Sequence, residues 1–203
     1  MIDMKKEKTE KKEGNDKESR LLNTAFKLFT EKGMKDTSIQ DIVDNANVAK
    51  GTFYLYFKDK YEIRDILIAK KSNKLFNEAL KELRKNYIEN LSDQVIFIIN
   101  YVIDELVKAP TLLKFISKDL SWGIYNKNVR KIYEETSEDS IYKLFIKGVE
   151  ENNIELKNPE VTLFMIIELL SSTCFNSILY NEPLPINEFK PYLYDTIRNM
   201  IGK

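Results

Sequence analysis

Apolar residues recur along most of the chain at the three-and-four spacing of amphipathic helices. From about Lys17, the residues Leu21, Leu22, Ala25, Phe26, Leu28 and Phe29 share one broad face, and Gly33 follows Lys32 where a C-terminal cap belongs. A shorter helix is predicted over Ser38–Asn45, with Ile39, Ile42, Val43 and Ala46 as its apolar rhythm. The turn then falls at Asn45, Ala46 and Asn47, and Asn47 suits the positive φ such turns require. A second short helix follows, Lys50–Phe57, with Phe53 and Phe57 four apart and facing inward. Thr37 with Gln40, and Ser38 with Asp41, have the spacing of N-cap pairs. Asp59 with Glu62 repeats it and opens a long helix to about Asn86, on Ile63, Ile66, Leu67, Leu75, Leu80 and Leu83.

The second half carries the same periodicity. A helix from Ser92 to just before Pro110 is apolar on most sides, through Val95, Ile96, Ile98, Ile99, Val102, Ile103 and Leu106. Pro110 to about Trp122 predicts another, with Leu112, Leu113, Phe115, Ile116 and Leu120 inward. Asn126–Asn152 is long and amphipathic. Pro159 sits at a helix start, and Val161–Tyr180 is nearly uncharged, with Glu168 its one acid. Asn187–Ile201 closes the chain. The fold class is all-α.

Charge and composition narrow the function. Lys plus Arg equals Asp plus Glu, 32 each, so the chain lacks the overall basic excess of a histone-like binder and leaves room for a local nucleic-acid contact. With one cysteine (Cys174) and no histidine, it has no internal disulfide and lacks the commonest metal ligand and general base. No metal site and no cofactor are expected. Pairs such as Glu134-Glu135 and Glu150-Glu151 lie on polar helix faces and read as solvated surface rather than as catalytic acids. No apolar run approaches the ~18 residues of a membrane span, and the N-terminus is too polar for a secretory signal. A cytoplasmic protein with no membrane partner is therefore expected. Residues 1–16, rich in Lys and Glu, read as a flexible, solvated arm.

Two short helices about a tight turn are the form of a helix-turn-helix DNA reader, here spanning 38–57. Opposite Phe53 and Phe57 lie Lys50, Gly51, Thr52, Tyr54 and Tyr56, much aromatic surface for a face in water. Gly51 weakens a helix, which makes sense where a phosphate or a base edge must approach closely. The plainer alternative has the tyrosines covering neighbouring helices.

Arg20-Leu-Leu-Asn-Thr-Ala25, Leu28-Phe29, Glu31-Lys-Gly33, Thr37-Ser38-Ile39, Ile42, Ala46-Asn-Val48, Lys50-Gly-Thr-Phe-Tyr54, Tyr56-Phe57 and Lys58-Asp-Lys60 together resemble the TetR family of bacterial transcriptional regulators. The resemblance runs without a gap over about 17–66. It implies a DNA-binding domain at 17–66 and an effector-binding and dimerisation domain at 67–203. By it, Lys50, Gly51, Thr52, Tyr54 and Tyr56 face DNA and Gln40 reaches a base, with the chemistry to read adenine. Ser38 and Lys60 are placed at phosphates by the same resemblance. Two positions depart from the family: Asn47 stands where Gly is common, and Ala49 where Ser is common, which removes a cap from the reading helix.

The family pattern further implies a homodimer through the last two helices (about 158–181 and 187–201), a palindromic double-stranded operator, and a small-molecule effector whose binding releases the DNA. By their places on central helices, Phe97, Tyr101, Phe115, Trp122, Tyr125, Phe145, Phe164, Glu168 and Phe175 are candidates to line the effector pocket, although aromatics at helical spacing also serve as ordinary core. Glu168, an acid on an apolar helix, needs a partner. Cys174 reads as a small buried hydrophobe. The expected function is that of a ligand-responsive repressor. The competing reading is a small-molecule-binding helical protein whose head no longer reads DNA.

Overall fold

The computed structural model describes residues 2–117, 119–125 and 140–202, with side chains except in 2–15 and 122–124. Every regular element among them is an α-helix: α1 Ile2–Glu31, α2 Ile39–Ala46, α3 Lys50–Tyr56, α4 Lys60–Leu83, α5 Leu91–Lys108, α6 Pro110–Ile116, α7 Leu120–Tyr125, α8 Ile141–Glu151, α9 Pro159–Tyr180 and α10 Ile186–Ile201. The chain divides into two compact units, Met1–Leu67 and Ile68–Lys203.

In the first unit α1 packs on α2 and α3. Leu21, Ala25 and Phe29 from α1, Ile42, Val43 and Ala46 from α2, Phe53 and Phe57, and Ile63 from the start of α4 are buried. These are the inward positions that the periodicity selects. Gly33, at φ +88°, ends the first helix as a left-handed cap. That helix starts at Ile2, well before the predicted Lys17, and so runs through the segment read as an arm. Lys and Glu are good helix formers, so a charged segment can extend a helix without burying a face. The helix α2 also continues one residue past its predicted end, because Ala46 is buried and stays within it.

The second unit centres on α9, which packs against α5, α6, α7, α8 and α10. Its core includes Val95, Ile99, Val102 and Ile103 of α5, Phe145 of α8, Ile166 and Leu170 of α9, and Leu193 and Ile197 of α10. The cap of α5 is Asn90, whose side chain accepts from the N–H groups of Ser92 and Asp93; the helix starts at Leu91, just ahead of the predicted Ser92. The single helix expected from Pro110 to Trp122 is two, α6 and α7, with a turn after Ile116. Most of the predicted helix 126–152 lies outside the described residues; its final part is α8.

The helix Pro159–Tyr180 has the length and composition of a membrane span, whereas the sequence reading expects no such run. Packing accounts for its apolar character: Leu163, Ile166, Ile167, Leu170 and Cys174 are buried against neighbouring helices.

Candidate nucleic-acid interface

The helix-turn-helix starts from a closed cap. Ser38 precedes α2 with extended backbone, and its Oγ accepts from the Asp41 N–H at 3.0 Å. The Asp41 carboxylate accepts in return from the Ser38 N–H at 2.8 Å and from the Ser38 hydroxyl at 2.7 Å. Those hydrogen bonds, the hydroxyl's first, and the Lys32 ammonium at 3.1 Å hold the Asp41 carboxyl at about 2, against its ordinary 3.8. Ser38 is exposed, as a phosphate contact needs, but its hydroxyl already both donates and accepts within the cap.

One turn on, Gln40 is exposed and its Nε2 donates to Asp44 Oδ1 at 2.8 Å. The amide is thereby oriented by a neighbour that the sequence pattern does not single out. At the far end Asn47 takes the left-handed conformation, φ 52° and ψ 53°, as its residue type predicts. The Val48 N–H returns to the Val43 carbonyl at 3.0 Å, closing the turn.

Ala49 then opens α3 without any side-chain cap. Phe53 is fully buried and packs 5.5 Å from Phe57, ring centre to ring centre, so α3 is fastened by one face. Lys50, Gly51 and Tyr54 are exposed, and Thr52 and Tyr56 partly so. These five share the seven-residue helix, and Ser38 and Gln40 belong to the adjoining α2 and its cap.

Lys60 departs from the expectation of a phosphate contact. Its ammonium donates to three backbone carbonyls, Met34 at 2.9 Å, Lys35 at 3.2 Å and Thr37 at 2.9 Å. An ammonium has three donors, and all are engaged. Lys60 ties the first turn of α4 to the loop between α1 and α2. Nothing in local sequence pairs it with carbonyls so far away along the chain. Leu55, 81% exposed on α3, is absent from the residues that the sequence pattern selects. Its register, two positions from Phe53, is the signal that finds it.

The effector candidates in the second unit scatter among several environments. Phe145 is fully buried core. Phe97, Tyr101, Phe115 and Phe175 are partly buried against the core. Tyr125 meets Phe164 edge to face at 5.5 Å and donates to the Glu160 carbonyl at 3.1 Å. Glu168 finds its partner in the fold, accepting from the Ser121 hydroxyl. The Trp122 side chain lies outside the described residues. A cleft of about 860 Å³ is lined by other residues, among them Leu83, Arg84, Gln94, Tyr142 and Lys147. Burial pushes the Cys174 thiol up to about 12. Among the described residues no cluster of His, Cys, Asp or Glu could hold a metal ion.

An exposed second helix fastened by one face to a small three-helix head, followed by a larger helical domain, defines a helix-turn-helix transcriptional regulator. Residues 21–65 match the family model described as bacterial regulatory proteins, tetR family. The head of the chain is thus of the TetR type over those residues. The uncharacterized HTH-type transcriptional regulator YhgD of Bacillus subtilis (strain 168) is 26% identical over 178 residues, covering 83% of this chain and 88% of its own. Among solved structures, the transcriptional regulator FadR from Bacillus subtilis in complex with stearoyl-CoA shares the fold. Its TM-score is 0.62 at 16% identity, over 91% of this chain and 99% of that one. RolR in complex with resorcinol does so at a TM-score of 0.66 and 14% identity, over 94% and 90%.

Proposed function

We propose that this regulator is a repressor that binds a palindromic operator as a homodimer and is released by a small-molecule effector. The carrying observation is the outer face of α3, where Lys50, Gly51 and Tyr54 stand exposed while Phe53 is the buried side chain of the helix. Gln40, steadied by Asp44, serves a base edge from α2, and Ser38, Thr52 and Tyr56 complete the contact surface. Lys60 acts one step back, by holding the loop that carries the cap of α2.

Dimerisation through α9 and α10 is supported by apolar side chains left in water. Val161, Phe164 and Met165 are exposed at the spacing of one helix face, and Tyr192 is exposed on α10. A two-fold pair of reading helices suits half-sites about one helical turn, ~34–36 Å, apart. For effector control, the support is that FadR and RolR, which share the fold, are seen with stearoyl-CoA and resorcinol. We assign the effector to the second unit and the site of action to the cytoplasm.

Selection of the purified protein against random duplexes, followed by fluorescence anisotropy across a salt series, tests this reading. The expected result is one inverted repeat, bound by a dimer, with affinity falling steeply as salt rises. Binding without sequence preference favours the alternative, a ligand-binding protein whose head does not read DNA.

A further inference from the structure

Leu55 is 81% exposed, more than Tyr54 at 53% or Tyr61 at 56% in the same unit. A single exposed leucine is ordinary on a protein surface. Its position is what gives this one meaning. Phe53 is fully buried and marks the inward side of α3. Residues two places to either side of Phe53 are turned from it by roughly 200°, so Gly51 and Leu55 form the outermost line of the helix. At Gly51 an added Cβ meets nothing within 4 Å. The tip of α3 therefore presents bare backbone, then one branched apolar side chain a turn later. Near it in the chain stand Lys50, Tyr54 and Lys58, all exposed. With exposed Lys50 and Lys58 close to it in the chain, an apolar tip of this size fits a polyanion that carries a small apolar feature. In the DNA major groove, the apolar feature on a base edge is the C5-methyl of thymine.

We propose that Leu55 is a specificity-determining residue that reads a thymine methyl in each operator half-site, with Gly51 allowing the backbone to approach closely enough for the contact. This rests on the DNA-reading role proposed above and adds to it a defined base and a defined atom.

The test uses the duplex selected by the full-length protein. Each thymine is replaced singly by deoxyuridine, which removes the methyl and leaves every hydrogen-bonding group. Affinities are measured by anisotropy for the wild type and for Leu55→Ala, whose fold is checked by circular dichroism and thermal melting. One thymine per half-site is expected at which deoxyuridine weakens the wild type about fourfold, the equivalent of one buried methyl. At that base the replacement should leave Leu55→Ala unaffected. A scan with no sensitive thymine overturns the assignment. So does a loss of equal size in Leu55→Ala, which hands the methyl to another side chain. A selection that returns no preferred duplex fails earlier and visibly: it removes the operator reading, and this contact with it.

Discussion

The Lys60 ammonium donates to the Thr37 carbonyl oxygen at 2.9 Å, joining the start of α4 to the residue just before the cap of α2. With the Met34 and Lys35 carbonyls also engaged, the charge fastens a loop that would otherwise present bare carbonyls to water. Lys60→Gln should therefore destabilise the protein by about 2 kcal/mol in urea unfolding, the scale of hydrogen bonds to a charged group. Operator affinity should fall while its dependence on salt stays the same. A salt slope lower by about one would instead identify a phosphate contact.

The Ser38–Asp41 cap makes stability depend on pH in one direction. Asp41 has its folded pKa depressed from 3.8 to about 2, so its contribution is complete above 3.8 and is lost as pH falls towards 2. Asp41→Asn should lower the melting temperature at neutral pH, and the gap to wild type should close between about pH 4 and pH 2. A gap of constant size across that window would show that the ionised carboxylate contributes nothing.

Asn47 holds φ 52°, which disfavours a side chain unable to make local hydrogen bonds. Asn47→Ala should cost about 1 kcal/mol in chemical denaturation, and Asn47→Gly should stay within about 0.5 kcal/mol of wild type. Equal losses in both variants would place the role of Asn47 in its side-chain amide instead.

Cys174 is buried, with its thiol pushed up to about 12. At pH 8 the thiolate fraction in the native state is then about one in ten thousand. Iodoacetamide should leave the folded protein unmodified over hours and alkylate it promptly in urea, read by intact mass. Prompt labelling of the native form would revive a sensing role for this residue.

The inward residues of the head, Leu21, Ala25, Ile42, Val43, Phe53 and Phe57, are legible in the amino-acid sequence, as are the caps at Gly33, Ser38, Asn47 and Asp59. Each follows from spacing or from backbone chemistry within one turn. Asp59 illustrates it: its carboxylate accepts from the Tyr61 and Glu62 N–H groups at 2.8 and 2.9 Å, as its place ahead of a helix implies. The effector candidates are harder to place. An aromatic at helical spacing carries the same signal whether it fills the core, as Phe145 does, or stands partly exposed, as Phe97 and Tyr101 do.

The sequence by itself determined an all-helical chain, a helix-turn-helix at 38–57, and the likeness of its head to one family of regulators, since hydrophobic period, cap residues and turn residues act over a few positions. Only the tertiary structure decided that Lys60 closes on a loop more than twenty residues away, that α6 and α7 are separate helices, that Glu168 is answered by Ser121, and which line of α3 stands outermost. Those outcomes depend on which distant groups the packed core brings within hydrogen-bonding reach. Local periodicity carries no record of such meetings.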